Sequence, residues 1–178
     1  MASYNGDLPS YYYFGDQVPR HLAQSTAMHE SAHAVLGKLA GIHMDEIRVL
    51  LHFGNGPQEI GSEGWVELAN PDQPDKVPPE KMPGWLIACA GGQVGQAMWY
   101  AKTKPGYDFD RAMAEVESGA CHDNGLFHRF AGKRPMMTWE QAQARARQIL
   151  EVHWRFVEQN AAGLFRTGRG EGRKVVVN

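Results

Sequence analysis

The sequence predicts an α+β domain that is predominantly helical, with a small β-hairpin or sheet and a further helical bundle. Three observations predict it. Residues Ser25 to Gly41 carry small and apolar side chains at helical spacing, between a Ser25 N-cap and a Gly41 stop. Asp45 to Phe53 and Gly61 to Leu68 have strand-like patterns on either side of Gly54-Asn55-Gly56-Pro57, a turn signal. Thr138-Trp139-Glu140-Gln141 is a capping box, Thr138 at the N-cap and Gln141 at the third helical position, ahead of a long helix to about residue 162.

Residues 1–20 form a polar lead containing Tyr11-Tyr12-Tyr13-Phe14, without the basic and then apolar run of a secretory signal. The first helix spans about residues 21–40 and the two strands follow it. Pro71, Pro74, Pro78, Pro79 and Pro83 make 69–83 a loop. From Met82 to Ala101 no residue is charged, the length of a membrane span. Pro83, Gly84, Gly91, Gly92, Gly95, Gln93 and Gln96 dilute its apolarity, so a buried core helix is expected, its small residues permitting close packing. A phosphate-binding loop is the competing reading and is not the one expected, because Ala90-Gly91-Gly92-Gln93-Val94-Gly95 lacks the P-loop lysine and no strand precedes it.

Gly106 to Ala112 opens a helix reaching about Ser118, where Gly119 ends it. Residues 120–135 read as irregular. They hold Cys121, His122, Asp123 and His128, metal-binding types without a clear ligand spacing. In the last helix, Ala142, Ala146, Ile149, Leu150, Val152, Trp154, Phe156 and Val157 are read first as core and second as a partner interface. The tail, 163–178, is basic through Arg166, Arg169, Arg173 and Lys174, and Val175 to Val177 could add an edge strand.

At 178 residues the chain is expected to be one domain, long enough to bury a core without staples. Cys89 and Cys121 are too few for a disulfide framework and fit free thiols in a reducing, cytoplasmic setting. A formal net charge of −2 supplies no field for nucleic acid or acidic lipid, so neither nucleic acid nor membrane is an expected partner.

The chemistry concentrates in His29-Glu30-Ser31-Ala32-His33. Four residues of helix bring His29 and His33 to one face, where both imidazoles can ligate Zn²⁺. Glu30 beside them is placed to take a proton from an attacking water, the zincin arrangement. Catalytic zinc takes three protein ligands, so one is still to be found. Leu36 and Leu39 stand where the metzincin pattern needs glycine and histidine. Glu59, Glu63 and Glu67 lie in strand-like rather than helical sequence, and Asp108 and Asp110 in isolation read as helix caps.

Three stretches in order give the chain a resemblance to the proteolytic domain of the FtsH family of ATP-dependent zinc proteases. Met28 to Gly37 is similar to that family's HEAGHAVVG-like run, Ile87 to Met98 to its LAGRAAEEL helix, and Tyr107 to Ala112 to its NDIERAT stretch. The resemblance covers about residues 22–162 and implies that Asp108 is the third zinc ligand beside His29 and His33, with Asp110, Glu115 and His122 as fallbacks. It implies a zinc metallopeptidase with Glu30 as base, acting on unfolded proteins or peptides. The substrate is expected to lie extended along an edge of the 45–68 hairpin. The chain departs from the pattern at Ala32, where the family has glycine, and at Gly95 and Gln96, where it has two glutamates. Only some twenty residues precede the first helix and no GxxxxGK[ST] is present. The expectation is therefore a peptidase without its own ATPase, a homo-oligomer or one with an ATPase partner in trans. The alternative is a catalytically weak zinc-binding regulatory or interaction module.

Overall fold

A computed structural model describes residues 18–53, 60–68, 77–117, 121–132, 136–171 and 175–177. The lead up to residue 17, the turn at Gly54 to Pro57, residues 69–76 of the proline-rich loop and the stop at Gly119 lie outside the described residues. In chain order the elements are α1 (Val18–Leu39), β1 (Met44–Phe53), β2 (Ile60–Leu68), α2 (Met82–Thr103), α3 (Phe109–Val116), α4 (Cys121–Ala131), α5 (Trp139–Thr167) and β3 (Arg169–Glu171). The fold is predominantly helical, with one antiparallel sheet of order β2-β1-β3 among the described residues. No helix among them is long and apolar enough to cross a membrane.

α1 starts earlier than expected, at Val18, so Ser25 is an interior, buried residue and not its cap. Its end is as expected. Gly41 takes a φ of 67°, and the amides of Gly41 and Ile42 donate back to Lys38 O and Gly37 O at 3.0 and 2.9 Å. That pairing satisfies carbonyls a helix would otherwise leave open, in a left-handed conformation that suits glycine.

α1 packs against α2, α5, β1 and β2, and one core cluster joins Val35 and Leu36 of α1, Ile47 and Val49 of β1, Val94 of α2, and Leu150, Trp154 and Val157 of α5. The approach of α1 to α2 depends on missing side chains. A β-carbon on Gly91 would stand 2.5 Å from Leu36 Cδ1, and one on Gly95 would stand 2.3 Å from Ala32 Cβ. Ala32 and Gly95, two of the departures noted above, thus face each other: the methyl that α1 carries fits because α2 carries none.

Residues 121–131 form a helix where an irregular segment was expected. Phe127 and Phe130 are nearly fully buried against α2, Phe130 stacking on Trp85 at 5.0 Å between ring centroids. Burying two such rings contributes about 1.5–3 kcal/mol each, enough to hold a short, polar helix with a glycine inside it. The tail also differs. α5 runs on to Thr167, and Gly168 caps it at a φ of 68°. The third strand is Arg169–Glu171 rather than Val175 to Val177. Val175 is buried instead, and Asn160 grips the next residue, donating from Nδ2 to Val176 O at 3.0 Å and accepting from Val176 N at 3.1 Å. Thr138 and Gln141 form the expected capping box. Both cysteines are free thiols, Cys89 buried and Cys121 exposed.

Candidate metal centre

On α1 the four-residue spacing does what helix geometry requires: His29 Nε2 and His33 Nε2 lie 3.0 Å apart. The third donor comes from α4. Oδ2 of Asp123 lies 3.1 Å from His29 Nε2 and 3.2 Å from His33 Nε2. Among the described residues these three form the one cluster of histidine, cysteine and acidic side chains able to hold a metal ion.

Packing of α4 explains the placement. Asp123, Phe127 and Phe130 follow one another at helical spacing, so the stripe that buries α4 on α2 carries Asp123 at its N-terminal end. A carboxylate in a first helical turn also sits favourably in the helix dipole.

Asp108, the expected third ligand, is elsewhere. It is the exposed N-cap of α3, its Oδ1 accepting from Arg111 N at 2.8 Å. α3 packs on Ala97 and Tyr100 of α2, whereas the histidines face Gly92, five to eight residues or about 7.5–12 Å of helix away. Asp110 is exposed on α3, and Glu115 pairs with Lys104 and Tyr107. His122 is exposed next to Asp123, close enough for its charge to act on Glu30. Glu59 lies outside the described residues, and Glu63 and Glu67 are on β2. Sequence reasoning named Asp123 only among the metal-binding types of 120–135 and not as the third ligand, because Gly125 and the polar residues around it hid the helix. The Asp123, Phe127, Phe130 spacing was the signal available.

The donor set fits a metal. Ala88 O lies 2.6 Å from His33 Nδ1 and can only accept, which puts the hydrogen of the neutral ring on Nδ1 and leaves a lone pair on Nε2. His29 Nδ1 faces Gln96 Oε1 at 3.2 Å, to the same effect. With both rings neutral, two imidazole lone pairs and a carboxylate oxygen converge on one point, an arrangement that could hold a metal ion. Ligand atoms held tetrahedrally about 2.0–2.1 Å from zinc are about 3.3 Å apart, close to the spacing seen here. Space for the ion is left by Gly92, where a β-carbon would stand 2.2 Å from both Nε2 atoms.

Glu30 is not part of the triangle. Its Oε1 is 4.0 Å from His29 Nε2, and β2 crosses directly over it: a β-carbon on Gly64 would meet Glu30 Cγ at 2.5 Å and Oε1 at 2.6 Å. Burial pushes the Glu30 carboxyl up from its ordinary range, while His29 and His33 pull it back. Burial also opposes charge on His33, but the Asp123 carboxylate outweighs it and holds His33 up at about 9. Asp123, although buried, is held well below the usual carboxylate range by the two histidines. Burial pushes the Cys89 thiol up, so it offers no thiolate to the site. No protein-family model matches the chain, and no curated protein matches it.

Proposed function

We propose that the chain is a zinc-dependent metallopeptidase that hydrolyses peptide bonds in unfolded proteins or peptides, in line with its resemblance to the FtsH proteolytic domain. The convergence of His29 Nε2, His33 Nε2 and Asp123 Oδ2 within 3.0 to 3.2 Å, beside a carboxylate that is not a ligand, carries this reading. His29, His33 and Asp123 would hold Zn²⁺, which when bound supplies a Lewis acid and lowers the pKa of a water to about 7.

Glu30 accepts the proton of the attacking water and returns it to the departing amine nitrogen. Ala88 O and Gln96 hold the imidazole rings by their Nδ1 atoms. Strand β2 is at the edge of the sheet and passes over Glu30, so an extended substrate pairing with that edge runs alongside the base.

Burial favours a second reading, a catalytically weak zinc-binding module. The side chains of His29, His33 and Asp123 are only 14%, 13% and 15% exposed, which restricts access by a polypeptide. Zinc stoichiometry together with cleavage of unfolded casein by wild type and Glu30→Gln separates the two. One zinc per chain in both proteins, with cleavage by wild type alone, supports the peptidase. Equal cleavage rates in the two proteins refute it.

A further inference from the structure

The two metal-facing histidines are oriented by different kinds of partner. Behind His33 stands a backbone carbonyl, which offers no choice of hydrogen-bond direction. Behind His29 stands the side-chain amide of Gln96, which can present either an acceptor oxygen or a donor nitrogen. Were the amide reversed, its NH₂ would face His29 Nδ1. The hydrogen of the neutral ring would then move to Nε2 and the lone pair facing the cluster would be lost.

The far side of the amide is engaged as well. Gln96 Nε2 donates to Ser25 Oγ at 2.7 Å, and Ser25 Oγ donates to Tyr100 OH at 3.0 Å. Ser25 is 2% exposed and Tyr100 7%, so water does not readily substitute for either. With its single hydrogen committed to Tyr100, Ser25 is an acceptor toward Gln96. In this arrangement Nε2 is on the serine side and Oε1 on the histidine side. Reversing the amide would require both hydroxyl hydrogens to turn, Tyr100 then donating to Ser25 and Ser25 to Gln96.

We infer that Gln96 is a positioning residue that holds His29 as its Nδ1–H tautomer, its amide anchored from behind by Ser25, which is itself bonded to Tyr100. The inference rests on the metal-binding reading above, and adds to it that a neutral three-residue relay makes His29 competent as a ligand. It also gives Ser25 its role inside α1, where a serine otherwise competes with the helix for hydrogen bonds.

The test measures zinc affinity by competition with a chromophoric chelator, and the visible spectrum of the Co²⁺-loaded protein, in wild type, Gln96→Leu, Gln96→Glu and Ser25→Ala. Nitrogen-15 NMR of the histidine rings reports the tautomer directly. Gln96→Leu is expected to weaken zinc binding about 10- to 100-fold, the range typical of an outer hydrogen-bond partner, and to alter the Co²⁺ spectrum. Gln96→Glu, which can only accept, should bind at least as tightly as wild type. Ser25→Ala should weaken binding and mix the His29 tautomers. Wild-type affinity in Gln96→Leu overturns the inference, as does weaker binding by Gln96→Glu, which stands as the test even where the leucine variant does not fold. Absence of zinc binding in wild type removes the metal reading and this inference together. Loss of cleavage with zinc binding intact touches only the peptidase assignment.

Discussion

Oδ2 of Asp123 lies 3.1 Å from Nε2 of His29, although 94 residues of chain separate them. Asp108 makes no such contact and caps α3 instead. Asp123→Ala should therefore weaken zinc binding by more than about 100-fold, beyond the upper end of what an outer hydrogen-bond partner costs. Asp108→Ala should leave zinc affinity unchanged and cost about 0.5–2 kcal/mol of stability as a lost cap. Chelator competition and urea denaturation of the two variants check both. The opposite pattern would restore Asp108 as the ligand.

Gly92→Ala should abolish zinc binding while the helices persist. The added methyl would stand 2.2 Å from both imidazole nitrogens, in the space a metal needs. Within α2 the same change favours the helix by about 0.5–1 kcal/mol, so the conflict falls on the histidines and not on the backbone. Helical circular dichroism in chelator and zinc content after dialysis measure the two effects separately. Stoichiometric zinc in this variant would refute the placement.

Gly64→Ala should lower turnover by about 10²-fold, the cost typical of misplacing a reacting group by an ångström, with zinc content unchanged. Its β-carbon would press on Glu30 Cγ and Oε1 and on Thr26 Cγ2, displacing the base and not the ligands. Steady-state rates on a fluorogenic peptide, normalised to bound zinc, test this.

With chelator present, stability should fall as pH rises from about 6.5 toward 9. His33 has a folded pKa raised from 6.5 to about 9, so its pairing with Asp123 stabilises the fold fully below the unfolded value and is lost on passing the folded one. Asp123 has a lowered pKa and acts in the opposite sense: its contribution is present above 3.8 and is lost only in strong acid. Zinc should reverse the trend between pH 6.5 and 9, because a metal replaces the shared proton and binding releases it. Melting temperatures across that range, with chelator and with zinc, give the comparison; parallel curves would contradict it.

Much of the fold is legible in short-range pattern. The Gly41 stop, the two antiparallel strands, the core helix from residue 82 and the Thr138–Gln141 box all follow from side-chain periodicity and backbone chemistry within a few residues. Errors fell where distant packing outweighs local preference. Ser25 has the chemistry of a cap, but α1 continues through it because its hydroxyl has partners on α2. Residues 121–131 lack a strong helical pattern, and become a helix because α2 offers Phe127 and Phe130 a buried surface. Thr167 extends α5 beyond its expected end, and the chain then adds β3 to the free edge of β1.

The site divides along the same line. His29, Glu30 and His33 were determined by five consecutive residues, since a helix allows i and i+4 to meet on one face whatever surrounds it. The third donor is not a local property. Asp108 and Asp123 both stand at the start of a helix after a glycine-containing stretch, and nothing within either segment says which helix ends beside the histidines. That choice is made by where each helix buries its apolar face: α3 in the cluster of Ala97 and Tyr100, α4 in the cluster that runs along α2 from Trp85 and Leu86 to Cys89 and Ala90, two residues from Gly92. Packing brought Asp123 into the triangle, and packing placed Gln96 against His29 and Gly64 against Glu30.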